Sequence, residues 1–227
     1  MHKMKTIVIS VGGSIIVPDK VDVAFIKNFK KLVGRFAKKG YRFGIYCGGG
    51  KLARDYQKAA SSVSKLGQKE LDWLGIHATW LNADLLVKIF GNLTDGCFII
   101  DPTKKVKSKK KVLVAGGWKP GWSTDYDAVL LARNLKARIV INMTNVDYVY
   151  NKDPKKNKGA KPIKETTWKE LRKLVGSKWK AGLNMPFDPI ASKKAEQLGL
   201  SVAIIGKNLK NLEKLLNNKP FKGTIIR

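Results

Sequence analysis

Residues 6–13 of the chain read TIVISVGG, and residues 41–50 read YRFGIYCGGG. Each stretch is a short run rich in β-branched or aromatic residues that ends in consecutive glycines. Such runs are typical of buried strands, and the apolar residues between Asp22 and Lys39 recur at helical spacing. A strand, a helix and a second strand in this order predict a parallel β-α-β unit whose strands end in glycine loops.

The same alternation continues to the end of the chain. Further strands are predicted over residues 97–101, 111–115, 138–143, 200–205 and 223–226, and helices from Lys51 and over residues 68–92, 126–135, 166–175, 187–198 and 208–217. This order predicts an α/β protein, a three-layer αβα sandwich with a mainly parallel central sheet. We expect a single domain over residues 1–227, with one lobe at 1–140 and a second at 141–227.

The composition is strongly basic. Lys and Arg number 45 against 17 Asp and Glu, which gives a formal net charge of +28. Such a field attracts anions of every kind, nucleotides and nucleic acids included, without choosing among them. No apolar run approaches the roughly 20 residues of a membrane-spanning helix, and no signal-peptide pattern is present. We therefore expect a cytoplasmic protein without a membrane partner.

Three glycine-rich segments, residues 12–14, 48–50 and 116–125, each follow a predicted strand. Glycines let backbone N–H groups approach an anion closely, and the dipole of a following helix adds attraction. Ligands of parallel sheets bind beyond the carboxyl ends of the strands. The Walker A and GxGxxG patterns are both missing from the sequence. The three segments therefore predict a phosphate site of another construction.

Cysteine and histidine chemistry is sparse. Cys47 and Cys97 form no metal-binding pattern, and we expect both to be buried, reduced thiols. The only histidines are His2 and His77, and His77 falls within a predicted helix. A zinc site or a Ser-His-Asp triad is therefore disfavoured, and the sequence predicts no set of protein metal ligands.

Six motifs follow one another along the chain. They are Gly12-Gly13-Ser14, GGGKLAR at 48–54, LDWLG at 71–75, GGWKPGWSTD at 116–125, TNVDYVYNKDP at 144–154 and FDPIASKKA at 187–195. In this order they resemble the amino acid kinase superfamily, and most closely its archaeal-type uridylate (UMP) kinases. The resemblance spans residues 5–226. It implies the amino acid kinase fold, ATP-dependent phosphorylation of UMP to UDP with Mg²⁺ in pyrimidine nucleotide biosynthesis, and a homohexamer.

The resemblance also implies roles for individual residues. The implied ATP-binding residues are Gly13, Ser14, Gly50, Arg54, Thr144, Asn145, Tyr150 and Asp153. The implied UMP-binding residues are Gly49, Asp72, Trp118, Lys119, Pro120, Gly121, Trp122, Ser123 and Thr124. The candidate catalytic residues are Lys51, Arg54 and Asp125. The N-terminal lobe would then hold the acceptor and the C-terminal lobe would hold ATP.

Two positions depart from the family pattern. Ser10 stands where the superfamily usually has a lysine, and Tyr148 stands where the ATP segment usually has a glycine. We expect Lys51 or Lys119 to supply the missing cation. The lysine-rich segment at 104–111 matches no motif, and we expect a solvated loop or hairpin there.

Two alternative functions stay open. One keeps the fold and changes the acceptor to acylglutamate, aspartate, carbamate or isopentenyl phosphate. The motif around Asp72 and the loop at 116–125 favour a nucleotide instead. The other alternative is a paralogue that binds nucleotide or RNA without catalysis, as Ser10 and Tyr148 would allow. RNA binding through this charge would depend steeply on salt.

Overall fold

The computed structural model describes residues 5–152, 157–175 and 187–227. The helices are α1 (Gly13–Ile16), α2 (Val23–Lys38), α3 (Gly50–Val63), α4 (Gln68–Phe90), α5 (Thr124–Asn134), α6 (Trp168–Val175), α7 (Pro189–Gln197) and α8 (Leu209–Leu216). The strands are β1 (Lys5–Val11), β2 (Tyr41–Cys47), β3 (Val112–Ala115), β4 (Ile139–Met143), β5 (Val149–Tyr150), β6 (Pro162–Ile163), β7 (Glu165–Thr166), β8 (Ser201–Ile205) and β9 (Thr224–Ile226). A short 3₁₀ turn at Gly91–Leu93 follows α4.

Seven strands form one sheet in the order β3-β2-β1-β4-β8-β9-β7, and β5 and β6 form a separate antiparallel pair. Neighbours in the large sheet run parallel except β8 and β9. Ile9 at the centre of β1 is in register with Ile45 on β2 and Ile141 on β4. The strands of both predicted lobes therefore share one mainly parallel sheet, as the sequence predicted.

Apolar side chains cover both faces of the sheet. Alternate residues of a strand point to opposite faces, so Ile9 joins a core with Phe29 of α2 and Leu86 of α4. Its neighbour Val8 joins a second core with Leu131 of α5. The two cores confirm the αβα sandwich. Among the described residues, no helix has both the length and the apolar character needed to cross a membrane.

Local signals in the sequence account for the bounds of α2. The carboxylate of Asp22 accepts a hydrogen bond from the N–H of Phe25 at 2.9 Å, which caps the start of the helix. Gly40 adopts a φ of +88° directly after the helix, a conformation that glycine favours. Both residues were predicted as the helix boundaries.

The strand predicted at 97–101 is wrong. Only Ile99 pairs with the sheet, in an isolated bridge to Ala115. The chain turns away because Asp101 accepts hydrogen bonds from the N–H and hydroxyl of Thr103, and because Pro102 has no N–H to donate to a ladder. The prediction that both cysteines are buried is also wrong for Cys97, which is exposed, whereas Cys47 is buried.

The glycine loops after β1 and β2 lie against each other, backbone to backbone. The N–H of Gly48 donates to the carbonyl of Val11 at 3.0 Å. A Cβ added to Gly13 would lie 2.0 Å from the nitrogen of Gly50, and a Cβ added to Gly48 would lie 2.5 Å from the nitrogen of Gly13. Gly50 also adopts a φ of +66°. Loop contact alone therefore requires glycine at these positions, whatever ligand binds there.

We expect Gly13→Ala to lower the free energy of unfolding by about 3 kcal/mol, because the new methyl group overlaps the backbone of Gly50. Urea denaturation at constant m-value measures the change. Gly34→Ala is the matched control within α2, where the nearest atom to a new Cβ is 3.9 Å away. That variant should gain about 0.5–1 kcal/mol from helix propensity. Equal stability of the Gly13 variant and the parent would contradict the interlocked loops.

Candidate active site

The site lies at the carboxyl edge of the sheet, where β1, β2, β3 and β4 end. Helices α1, α3 and α5 begin there, directly after the loops that hold the predicted glycines. Gly49 is the N-cap of α3, and within the described residues no side chain caps that helix start. The N–H groups of the first turn are therefore available to an anion. The structure thus brings Gly13, Ser14, Gly49 and Gly50 together.

The two cations in the first turns of α3, Lys51 and Arg54, point in different directions. Arg54 Nη1 lies 3.5 Å from Ser14 Oγ, so its guanidinium reaches across to the first glycine loop. Lys51 Nζ instead lies 2.6 Å from Asp55 Oδ2, one turn further along the helix. This contact raises the pKa of the Lys51 ammonium. An exposed ion pair is weak, so Lys51 can leave Asp55 for a more strongly charged partner.

Helix α4 anchors residues 116–123, which we call the acceptor loop because the sequence predicts that it binds the acceptor. Thr79 Oγ1 accepts the N–H of Gly117 at 2.6 Å, and Trp80 Nε1 donates to the carbonyl of Gly117 at 2.7 Å. A Cβ on Gly116 would lie 2.7 Å from the ring of Trp80, so this glycine allows the loop to approach the helix. Thr79 and Trp80 were not predicted as site residues, although they lie on the same helix as the LDWLG motif, within five residues of its end.

Asp72 holds the same loop further along. One oxygen of its carboxylate accepts the N–H of Gly121 at 2.8 Å, and the other accepts Gln68 Nε2 at 2.7 Å. Gly121 adopts a φ of +86°, which suits glycine. A carboxylate accepts about four hydrogen bonds, so Asp72 retains capacity for further donors such as ribose hydroxyls.

A buried pair, Tyr46 and Asp127, anchors the start of the loop from below. The Tyr46 hydroxyl contacts the carbonyl of Gly116, and it also lies 2.9 Å from Asp127 Oδ2. Asp127 Oδ2 accepts the N–H of Trp118 at 3.1 Å, whereas buried Oδ1 has no partner among the described residues. Sequence reasoning missed this pair, although a tyrosine inside an apolar strand was a usable signal.

The Tyr46 hydroxyl lies between two acceptors. It donates to Asp127 Oδ2 and also contacts the carbonyl of Gly116. A donor to the carboxylate favours its ionised form, whereas burial favours the neutral acid. Burial raises the pKa of Asp127 to about 7, against the opposing effects of its hydrogen bonds and of Lys119. Burial likewise raises the pKa of Tyr46 well above its ordinary value. Asp127 is therefore a neutral acid below pH 7.

A second carboxyl group lies beside the first. Asp125 Oδ2 accepts the N–H of Asp188 at 3.1 Å, and Asp125 Oδ1 accepts Asn142 Nδ2 at 3.3 Å. Burial raises the pKa of Asp125 to about 7, and the nearby Asp188 and Asp127 charges add to the rise. Asp188 also caps α7 and accepts the hydroxyl of Ser123. Asp125 and Ser123 were predicted, whereas Asp188 and Asn142 were not.

Ser10 lies directly beneath these carboxyl groups. It is buried on β1, in register with Tyr46 on β2 and Asn142 on β4. Residues in register on parallel strands point to the same face, so three polar side chains line the floor beneath α5. A lysine at position 10 would balance the negative charge of Asp125 and Asp127. Here the raised pKa values reduce that charge by protonation instead.

Aromatic rings form the outer wall of the acceptor loop. The rings of Trp122 and Tyr126 stack at 4.2 Å, and those of Trp118 and Trp122 stack at 6.5 Å. Lys119 Nζ lies 4.0 Å from the centre of the Trp118 ring, a cation–π contact. The predicted loop residues are thus packed on one another. Pro120 lies between Lys119 and Gly121 in this wall, and Thr124 is the first residue of α5.

The predicted ATP-base segment follows β4. The N–H of Thr144 donates to the carbonyl of Ile205 at 2.8 Å, which ties this loop to β8. Asn145 is exposed next to it. The rings of Tyr148 and Tyr150 meet edge to face at 6.3 Å. Asp153 lies outside the described residues.

We expect Asp127→Asn to change how stability depends on pH. The folded protein keeps a proton on Asp127 that the unfolded chain releases near pH 4, so the free energy of unfolding falls as pH rises from about 4 to about 7. Asparagine has the shape of the neutral acid and does not ionise, so the variant lacks this pH-dependent loss of stability. Urea denaturation should show the variant more stable than the parent at pH 8, by on the order of 2 kcal/mol, and near-equal at pH 5.

The exposed Asp19 supplies the control for this experiment. The difference between Asp19→Asn and the parent should be the same at pH 5 and pH 8. Identical pH profiles for Asp127→Asn and the parent would contradict a protonated Asp127.

Known proteins share this sequence pattern over nearly the whole chain. The profile of the amino acid kinase family matches residues 5–206. A uridylate kinase from Methanospirillum hungatei is 36% identical over 227 residues, which cover 98% of this chain and 95% of that protein. A uridylate kinase from Thermococcus sibiricus is 34% identical over 97% of this chain and 98% of that protein.

Solved structures share the architecture. The crystal structure of uridylate kinase from Archaeoglobus fulgidus matches with a TM-score of 0.84 at 30% identity, covering 99% of this chain and 100% of that one. A UMP kinase from Ureaplasma parvum matches with a TM-score of 0.79 at 20% identity, covering 99% of each chain, and so shares the fold. The predicted fold and resemblance are confirmed. The chain belongs to the amino acid kinase family.

Proposed function

We propose that the protein is a UMP kinase, a phosphotransferase that converts UMP and ATP to UDP and ADP. The observation that carries this proposal is the meeting of three loops at one sheet edge. Two interlocked glycine loops begin α1 and α3, and an acceptor loop anchored on α4 follows β3 at the same edge. The uridylate kinases at 34–36% identity support UMP as the acceptor. We assign the reaction to pyrimidine nucleotide biosynthesis.

The chemistry places few demands on proton transfer. The phosphate of UMP is ionised at neutral pH, so one of its oxygens forms a bond to the γ-phosphorus as the bond to ADP breaks. The protein therefore has two tasks, to align the two anionic substrates and to stabilise the charge of the transferring group. In the proposal, the N–H groups of Gly13, Ser14 and Gly50 bind ATP phosphates, Gly49 faces UMP, and Arg54 contacts both nucleotides' phosphates.

The acceptor loop supplies the other half of the site. Asp72 accepts the ribose hydroxyls of UMP, and Ser123 and Thr124 donate hydrogen bonds to its phosphate. The wall from Trp118 to Trp122 encloses the nucleotide. Ser123 already donates to Asp188, so its hydroxyl exchanges that partner for phosphate when UMP binds.

Mg²⁺ suits this site, because Mg²⁺ in kinases is held by one or two carboxylates together with substrate phosphates. The described residues contain no cluster of three or more potential metal ligands, which fits a site that substrate phosphates complete. Asp125 and Asp188 are the neighbouring carboxyl groups that would hold the ion beside ATP. When bound, Mg²⁺ neutralises phosphate charge.

The C-terminal lobe completes the proposal with the ATP base and ribose. Thr144, Asn145 and Tyr150 hold them, together with Asp153, and the N-terminal lobe holds UMP. Tyr148 offers a ring beside Tyr150 where the family usually has glycine. We expect this ring to stack on the adenine base rather than to exclude it.

We also propose a homohexamer that works in the cytoplasm. Helix α4 exposes 63% of Leu81, next to the half-buried ring of Trp80, which is an apolar surface suited to contact with another copy. The unbridged thiols of Cys47 and Cys97 suit a reducing compartment. The mass in solution, measured by light scattering, tests the assembly, and any stable mass other than six chains contradicts it.

We expect the protein with Mg²⁺ and ATP to release ADP when UMP is added, and at least about 100-fold less with acetylglutamate, aspartate, carbamate or isopentenyl phosphate, since none of these presents a ribose to Asp72. Coupled detection of ADP measures the rate for each acceptor. Faster release with one of the other acceptors would replace UMP with that acceptor. No release with any of them would favour a protein that binds nucleotide without catalysis.

The same assay identifies the cation that replaces the missing lysine at Ser10. We propose Lys51 or Lys119, so Lys51→Met or Lys119→Met should lower kcat at least about tenfold, with a smaller change in KM. Lys58→Met is the matched control, because Lys58 is exposed on α3 two turns beyond Lys51. Unchanged rates for both variants would contradict this assignment.

A further inference from the structure

The amino-terminal edge of the sheet, opposite the candidate active site, is densely cationic. In a parallel sheet the starts of the strands and the ends of the preceding helices meet at this edge. We call its cations the basic edge: Lys5, Lys38, Lys39, Arg42, the six lysines of residues 104–111, Arg133, Lys136 and Arg138. The candidate phosphate loops contribute none of them.

The lysine-rich segment at 104–111 is fixed to this edge by hydrogen bonds. Arg42 donates to the carbonyl of Ser108 at 2.6 Å and to that of Lys110 at 3.2 Å. Lys110 Nζ donates to the carbonyl of Asn92 at 3.0 Å, after α4. Asn134, at the end of α5, donates to the carbonyl of Lys104. The segment forms no helix or strand, yet β2 and α5 hold its backbone, and the Lys110 side chain ties it to the 3₁₀ turn after α4.

Within the part of the chain that the structure describes, Lys104, Lys105, Lys107, Lys109 and Lys110 form no ion pair. The five ion pairs found among the described residues all lie elsewhere. Two carboxylates lie near the segment. Asp101 accepts hydrogen bonds from Thr103 and attracts Lys104, and Asp95 faces Arg42. The side chains of Lys104, Lys105, Lys107 and Lys109 extend into solvent. Like charges at this density repel one another, so an anionic partner would lower the electrostatic energy of the segment.

Helix dipoles explain the presence of only some of the cations at the basic edge. Cations in the last turn of a helix are favourable, which explains Lys38 on α2 and Arg133 on α5. The lysines of residues 104–111 belong to no helix, so this explanation does not reach them. Their concentration, six lysines in eight residues, calls for a different cause.

The aromatic rings at this edge are unavailable for stacking on bases. Tyr41 packs edge to face on Phe36 at 5.1 Å and stacks on Phe43 at 6.1 Å. Its hydroxyl donates to the carbonyl of Leu216, and Lys5 Nζ lies over its ring. Proteins that bind single strands use exposed aromatic rings as stacking platforms. The basic edge therefore offers cations to a phosphate backbone and offers no rings to bases.

We propose that the basic edge binds the phosphate backbone of duplex nucleic acid, without base readout and apart from the candidate active site. The four exposed lysines Lys104, Lys105, Lys107 and Lys109 make the principal phosphate contacts. Arg42 positions them by holding the backbone of their segment. This binding is independent of the proposed kinase activity, because the two sites lie at opposite edges of the sheet.

The test is fluorescence anisotropy with three labelled probes, a 20-base-pair DNA duplex, the equivalent RNA duplex and a 20-nucleotide single strand. The full chain is titrated into each probe, and each titration is repeated at salt concentrations from 50 to 200 mM. The variant changes Lys104, Lys105, Lys107 and Lys109 to Gln. We expect it to bind both duplexes at least about tenfold more weakly at 100 mM salt. The slope of log K against log salt is negative, and it should become shallower by about 3 to 4, close to one for each phosphate contact removed.

The matched control changes four exposed lysines on helices instead, Lys27, Lys30 and Lys31 on α2 and Lys210 on α8, to Gln. It alters the net charge equally and should keep the affinity and the slope of the parent. Equal losses in both variants would overturn the proposal in favour of diffuse attraction. Tighter binding to the single strand, or to vesicles containing phosphatidylserine, would overturn it as well. A preference for the RNA or the DNA duplex identifies the source of the backbone.

Discussion

The candidate site depends on one steric constraint, the contact between the backbones of Gly13 and Gly48–Gly50. A Cβ on Gly13 would lie 2.0 Å from the nitrogen of Gly50, so the two loops can meet only as glycines. Their contact brings the starts of α1 and α3 to one place at the centre of the sheet. Two helix starts without capping side chains then present N–H groups to the same volume. This packing supports the proposed site for two phosphate groups.

The charge balance around this contact differs from that of the usual family pattern. Ser10 stands at the usual position of a lysine, between Tyr46 and Asn142 on the neighbouring strands. These three polar residues line the face of the sheet beneath Asp125 and Asp127. Burial raises the pKa of both carboxyl groups to about 7, so protonation limits the negative charge at this end of the sheet. Asp127 also accepts the Tyr46 hydroxyl and the N–H of Trp118, which ties it to the start of the acceptor loop. The loss of one cation is thus offset within the protein.

The fold could be predicted from the sequence because the residues that begin and end its helices and strands lie within or next to those elements. Asp22 and Gly40 bound α2, and β-branched runs ending in glycine mark β1 and the loops. The strand at 97–101 failed because Asp101 and Pro102 favour a turn over a ladder. The site was predicted from motifs, so Asp72 and Ser123 were expected. Tyr46, Thr79 and Asp188 were not, because their partners lie 70, 38 and 65 residues away along the chain, and only the fold brings them together.

The central claim is that the interlocked loops hold two nucleotides' phosphates side by side, and a bisubstrate ligand tests it most directly. Adenosine and uridine joined through five phosphates should bind once per chain by calorimetry, more tightly than ATP or UMP, since one ligand spans both halves. It should also exclude ATP and UMP together. Continued binding of ATP or UMP to the saturated protein would contradict a shared site for the two phosphate groups.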